Sequence, residues 1–191
     1  MPRIGLTHEK VIENAANLAN KKGLSYVTIS SLAEFLGIKK PSLYNHIKSQ
    51  EDIYEGIMIY GWKNGVQPIA ENLRENNPQK ALKKYARAFY KYALDNPGIF
   101  EAMLWYNKYK SPELIEASEK IYDFFFTQTD KMNIDRESAN HLLRTFRAFL
   151  EGFLLLVIHN SFGNPISIEK SFELSLDVLI GGMKKIRGNE K

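Results

Sequence analysis

Gly37-Ile38-Lys39-Lys40-Pro41-Ser42-Leu43-Tyr44-Asn45-His46-Ile47 decides how the rest of this chain is read. A glycine leaves a helix sharply because it tolerates positive φ, so Gly37 ends one helix and the tight turn Gly37-Ile38-Lys39 begins the next. Pro41 fits the first turn of that next helix, where its missing N–H costs nothing. Leu43 and Ile47 are spaced to face inward. Lys39, Lys40, Ser42, Tyr44, Asn45 and His46 then face outward with cationic, hydroxyl, amide and imidazole groups. Two short helices joined by a tight turn, with such a surface on the second, match the demands of reading phosphates and base edges together.

Upstream, Thr28 caps a short helix carrying Ile29, Leu32, Ala33 and Leu36. Before it, Thr7 caps a helix whose apolar residues fall at Val11, Ile12, Ala15, Leu18 and Ala19, ending at Gly23. Downstream, Ser49 and Asp52 form a capping pair for a fourth helix through Ile53, Ile57 and Tyr60. That helix continues toward Gly61–Gly65 and joins head to body. Later breaks at Asn76-Asn77-Pro78, Asn96-Pro97-Gly98, Ser111-Pro112, Met132-Asn133 and Gly163-Asn164-Pro165 separate segments of helical length. The predicted fold is all-α: residues 1–50 form a helix-turn-helix DNA-binding domain, and residues 51–191 a helical bundle for effector binding and dimerisation.

The formal charge of the 191-residue chain is +4. Residues 1–50 hold seven Lys and Arg against three Glu, while the other 141 residues hold 19 of each sign. The whole excess therefore sits in the head, as a polyanion-binding surface requires. The chain has no cysteine, which excludes disulfides and thiolate metal sites. Met1-Pro2-Arg3-Ile4-Gly5 lacks the apolar core of a signal peptide, and the longest apolar run, Phe153–Ile158, is far short of the ~20 residues of a membrane span. A cytoplasmic location is expected, with no membrane partner.

Residues 7–53 resemble the DNA-binding domain of tetracycline-repressor (TetR) regulators. The resemblance rests on Ala15-Ala16, Leu18, Gly23, Thr28-Ile29, Leu32-Ala33, Leu36-Gly37, Ser42-Leu43-Tyr44 with His46, and Ser49 with Glu51. It implies that Thr28 meets phosphate, that Lys40, Pro41 and Ser42 lie in the major groove, and that Tyr44 and His46 meet phosphate or a thymine methyl. Gln50 stands where the family has a backbone-touching lysine, a role for which Lys48 is the substitute. The plainer alternatives are a surface-packing Tyr44 and a solvated, helix-end His46.

Twenty of the 23 aromatic residues follow residue 50. An aromatic stripe at helical spacing is ordinarily core, but an aromatic bundle can also enclose a small-molecule site. The candidate lining is Trp62, Phe100, Met103, Trp105, Phe126 and Phe149. Phe172, Leu176, Leu179, Met183 and Ile186 are spaced four, three, four, three, a coiled-coil seam. With Phe153 and Leu156 on the preceding, many-sidedly apolar helix, they predict a two-fold four-helix interface between two chains. The alternative is an ordinary core with a leftover strip. Asn96-Pro97-Gly98-Ile99-Phe100, Phe149-Leu150-Glu151-Gly152-Phe153, Phe162-Gly163 and Ser171-Phe172-Glu173 resemble the WHG-type TetR ligand-binding domain, although Leu150-Glu151-Gly152 replaces the Trp-His-Gly that names it.

No catalytic constellation emerges. The four histidines form neither a Glu-x-x-His nor a His-Glu-x-x-His pattern, and His141 and His159 lie 18 residues apart. Glu151 has Arg147 one turn earlier as a partner. The reading is a non-enzymatic, cofactor-free homodimeric regulator. It would bind an inverted-repeat duplex and respond to a small hydrophobic or aromatic effector. An effector-independent architectural protein and an all-helical enzyme are the alternatives.

Overall fold

The computed structural model describes residues 5–105, 108–109, 111–183 and 186. Every regular element among them is helical: α1 (His8–Lys22), α2 (Ile29–Phe35), α3 (Lys40–Leu43), α4 (Gln50–Gly61), α5 (Gln67–Asn72), α6 (Pro78–Asp95), α7 (Pro97–Met103), α8 (Pro112–Lys131), α9 (Arg136–Ile158) and α10 (Ile168–Met183). A π-helical turn, Trp62–Val66, joins α4 to α5. No helix among the described residues is long and apolar enough to cross a membrane.

The expected caps are present. The Oγ1 of Thr7 accepts from the Lys10 N–H and that of Thr28 from the Ser31 N–H, while Ser49 Oγ accepts from the Asp52 N–H. Each satisfies a donor that the first helical turn leaves open. Gly23 and Gly37 have φ of 89° and 65°, as their place beyond a helix end requires.

The chain divides into two compact units. The first comprises Met1–Gly65 and Asp95–Ser118, so the unit that holds the head takes in α4 and, from farther along the chain, α7. Its core is Val11, Ala15 and Ala19 of α1, Leu32, Leu43, Ile53, Ile57 and Phe100, all essentially inaccessible to solvent. Here α7 lies against α1 so closely that a Cβ at Gly98 would fall 2.2 Å from the Ala19 carbonyl carbon. Asn20 of α1 completes the joint. Its Oδ1 accepts from the N–H groups of Gly98 and Ile99, each at 3.1 Å, and its Nδ2 donates to Asn96 Oδ1 at 2.9 Å. A side chain of α1 thus satisfies the open N-terminal donors of α7.

The second unit comprises Val66–Leu94 and Glu119–Lys191. Leu82, Tyr85 and Phe89 of α6 are buried, as are Phe125, Phe146 and Leu154, and Tyr85 stacks on Phe124 with centroids 5.2 Å apart. Burial pushes the Tyr85 phenol well above its usual range. The basic face of α6 meets the acidic face of α10: Lys83 pairs with Asp177, and Arg87 with Glu173 at 2.6 Å. Arg147 donates to Glu151 through Nε and Nη2 at 3.1 and 2.9 Å, the pairing its i, i+4 spacing predicts.

Most of the α10 residues expected in the seam between chains are packed within this unit. Phe172, Leu176 and Met183 are buried in the chain's own core together with Ile180. A four-three-four-three seam and the 3.6-residue period of an intrachain face share most positions, and Ile180 marks the second of these. Phe153 and Leu179 are half-buried, whereas Leu156 is exposed and Leu174 and Val178 are 66% and 70% exposed.

Candidate nucleic-acid interface

The turn between α2 and α3 is built by backbone hydrogen bonding. The Gly37 N–H donates to Glu34 C=O and the Ile38 N–H to Ala33 C=O, both at 3.0 Å. This pair of bonds closes a helix on a left-handed glycine and fixes the exit direction of the chain. Lys39 enters α3 from extended backbone with Pro41 in the first turn. Only Lys40–Leu43 is α-helical, so the rod is shorter than the sequence predicts. The coil continues through Tyr44–His46, with the Ile47 N–H reaching Leu43 C=O at 3.2 Å. Tyr44, Asn45 and His46 lie in turn rather than α-helical conformation.

Leu43 and Ile47 are buried, and they hold this segment against the first unit's core. Around them Lys39, Lys40, Pro41, Ser42, Tyr44, Asn45 and Lys48 are exposed and His46 is half-buried. Tyr44, a large ring that packing would normally claim, is 52% exposed. Among the described residues, none of the side chains of Lys39, Lys40, Ser42, Tyr44, Asn45, His46 or Lys48 has a hydrogen bond or ion pair. One surface therefore carries three uncommitted cations and an assortment of neutral donors and acceptors, with no acidic residue between positions 35 and 50. Such a surface can meet phosphate oxygens through its cations and base edges through its amide, hydroxyl and imidazole groups.

Thr28 is exposed, but its hydroxyl also works inside the protein. It accepts from the Ser31 N–H at 3.1 Å and donates to Ser31 Oγ at 3.0 Å. Lys21 lies over the exposed Phe35 ring, 5.6 Å from its centroid. Gln50, the departure from the family's lysine, points inward. Its Oε1 accepts from the Ile29 N–H at 3.1 Å and its Nε2 donates to Val27 C=O at 2.6 Å. Sequence reading missed this bridge and the Asn20 joint, because their partners are 21 to 79 residues away.

The six candidate ligand-lining residues are not brought together in one unit. Trp62, Phe100, Met103 and Trp105 belong to the first, and Phe126 and Phe149 to the second. Phe100 and Met103 are core residues, and Trp105 meets Tyr54 edge-on at 5.4 Å. A cavity of about 200 Å³ opens on the second unit between Phe153, Phe162, Asn164, Ile166, Ile168 and Ser171. None of the six candidates lines it. Phe153, one of its walls, forms a cluster with Phe149 and Phe172, with centroids 5.3 to 5.7 Å apart.

The chain is similar to known regulators along most of its length. The family model for the C-terminal domain of tetracyclin repressor-like proteins matches residues 82–179. The uncharacterized HTH-type transcriptional regulator YobS of Bacillus subtilis is 27% identical over 187 residues, covering 95% of each chain. IcaR, the negative transcriptional regulator of the biofilm operon icaADBC in Staphylococcus aureus, is 43% identical over 47 residues, a quarter of each chain. Among solved structures, a single-substitution variant of TetR from Acinetobacter baumannii in complex with minocycline has a TM-score of 0.74 at 19% identity, covering 97% of this chain and 100% of the other.

Proposed function

The chain belongs to the tetracyclin repressor-like family of helix-turn-helix transcriptional regulators, and from that premise we propose that it is a homodimeric repressor released from an inverted-repeat operator by a small hydrophobic or aromatic effector. Residues 1–50 are the DNA-reading head and residues 51–191 the effector-binding and dimerising part. The observation that carries the reading is the set of uncommitted polar side chains from Lys39 to Lys48, held outward by buried Leu43 and Ile47. Lys40, Pro41, Ser42 and Asn45 lie in the major groove, while Tyr44 and His46 meet phosphate or a thymine methyl. Lys39 and Lys48 meet the DNA backbone, and Thr28 meets phosphate at the start of α2.

Two heads on a two-fold axis reach half-sites about one DNA turn apart, roughly 34–36 Å. The pairing surface is the exposed apolar strip of Leu156, Leu174 and Val178, side chains that a monomer would leave in water. Gly152, Gly181 and Gly182 have open space where a Cβ would stand, which lets a partner helix approach closely. An effector changes operator affinity only by binding one arrangement of the dimer better than the other.

The test begins with a duplex selected by the protein from a random pool. Fluorescence anisotropy should show binding that weakens steeply with salt, since each phosphate contact releases counterions. Lys40→Ala and Tyr44→Ala should each weaken it about tenfold or more, with the dimer still folded. Unchanged affinity in both variants refutes the assignment of this surface.

A further inference from the structure

Gln50 is the first residue of α4, yet its carboxamide is turned to the chain segment that leads into α2. Its two partners, Val27 C=O and Ile29 N–H, flank Thr28. A carboxamide is suited to this because it presents an acceptor and a donor side by side; a lysine offers donors alone and a carboxylate acceptors alone. The same first turn of α4 also holds the far end of the reading segment, since Asp52 Oδ2 accepts from the Lys48 N–H at 2.7 Å. Both ends of the 28–48 segment are thus tied to one turn of one helix, and between them the closed turn at Gly37 fixes α3 to α2.

We infer that Gln50 is a positioning residue for DNA recognition: bonded to both sides of Thr28, it sets the orientation of α2, and through it the reading face of α3, relative to the first turn of α4. The inference rests on the DNA-binding reading above. It predicts that Gln50 governs discrimination between sequences more than attraction to phosphate, because its amide is already engaged within the protein. Misorienting α3 spoils base contacts, which need close geometry, whereas lysine contacts to phosphate tolerate it.

The experiment measures anisotropy of the wild-type protein, Gln50→Ala and Gln50→Glu on the selected duplex and on a scrambled duplex of equal length, over a range of KCl. For Gln50→Ala, affinity for the selected duplex should fall about tenfold and for the scrambled duplex less than about twofold. The slope of log affinity against log salt should stay unchanged. Gln50→Glu keeps an acceptor for Ile29 but sets an anionic oxygen against the Val27 carbonyl where the donor stood, so its ratio of selected to scrambled affinity should fall at least as far as that of Gln50→Ala; this variant decides the matter if the alanine variant fails to fold. Equal losses on both duplexes would make Gln50 merely structural or a sequence-independent phosphate contact; that result overturns the inference, as does no change. Failure of the wild-type protein to bind either duplex would instead overturn the DNA-binding reading itself.

Discussion

Replacing Gly98 with alanine tests the joint between α1 and α7. The added Cβ would stand 2.2 Å from both the carbonyl carbon and oxygen of Ala19 and 2.7 Å from the Asn20 nitrogen. These are backbone atoms inside a helix, so no rotamer change can relieve the clash, and α7 must retreat by about 1 Å or more to restore ordinary contact. That retreat stretches the two 3.1 Å bonds from Gly98 and Ile99 to Asn20 Oδ1 beyond useful length. Overpacking costs about 1–3 kcal/mol, and two lost hydrogen bonds about 1 kcal/mol each. The sum is about 3–5 kcal/mol. For a chain of this size that lowers Tm by roughly 10 °C. Gly56→Ala should cost less, because its Cβ would meet the movable end of the Ile12 side chain at 2.4 Å. Circular dichroism melts of the two variants give the ranking. A Gly98→Ala melt within about 2 °C of the parent, or a larger loss for Gly56→Ala, would refute the reasoning.

Three further outcomes are expected. Val178→Glu combined with Leu156→Glu places charges on the exposed strip of α10 and α9 and should convert a dimer into folded monomers by light scattering; a persistent dimer would move the interface elsewhere. The Arg87–Glu173 pair sits at the surface and contributes at most about 1 kcal/mol. Arg87 holds the Glu173 carboxyl below its usual range, so the contribution is present at neutral pH and is lost as pH falls through the folded-state value; a double-mutant cycle with Arg87→Gln and Glu173→Gln should give a coupling at pH 7 that vanishes in acid, and a coupling independent of pH would contradict the assignment. Apolar aromatic compounds should include some that raise Tm saturably and weaken binding to the selected duplex, and compounds that raise Tm without affecting DNA binding would argue against an effector role.

The head was legible in the sequence because its determinants are local. Thr7, Thr28 and Ser49 cap helices three residues away, and Gly23 and Gly37 stop them at once, so composition and order suffice. Leu43 and Ile47 likewise announce the buried side of α3. What escaped depends on distance along the chain. Nothing near Asn20 marks it as the cap of a helix that begins at Pro97, and Gln50 reads as an ordinary first-turn residue until Val27 and Ile29 are folded against it. The α10 seam is ambiguous for another reason: Phe172, Leu176 and Met183 satisfy two periodicities, and only burial distinguishes the face turned to the chain's own core. The ligand candidates are five aromatics and Met103, and residue type alone does not tell which of two units a side chain helps to build.

Hydrogen–deuterium exchange of the protein with and without its selected duplex bears most directly on the central claim. DNA should slow exchange in peptides spanning residues 28–48, strongest over 39–48, at a salt concentration where the complex is saturated, and leave the second unit's Glu119–Leu154 core peptides unchanged. Full occupancy of the duplex with no slowing between residues 39 and 48 would contradict the account.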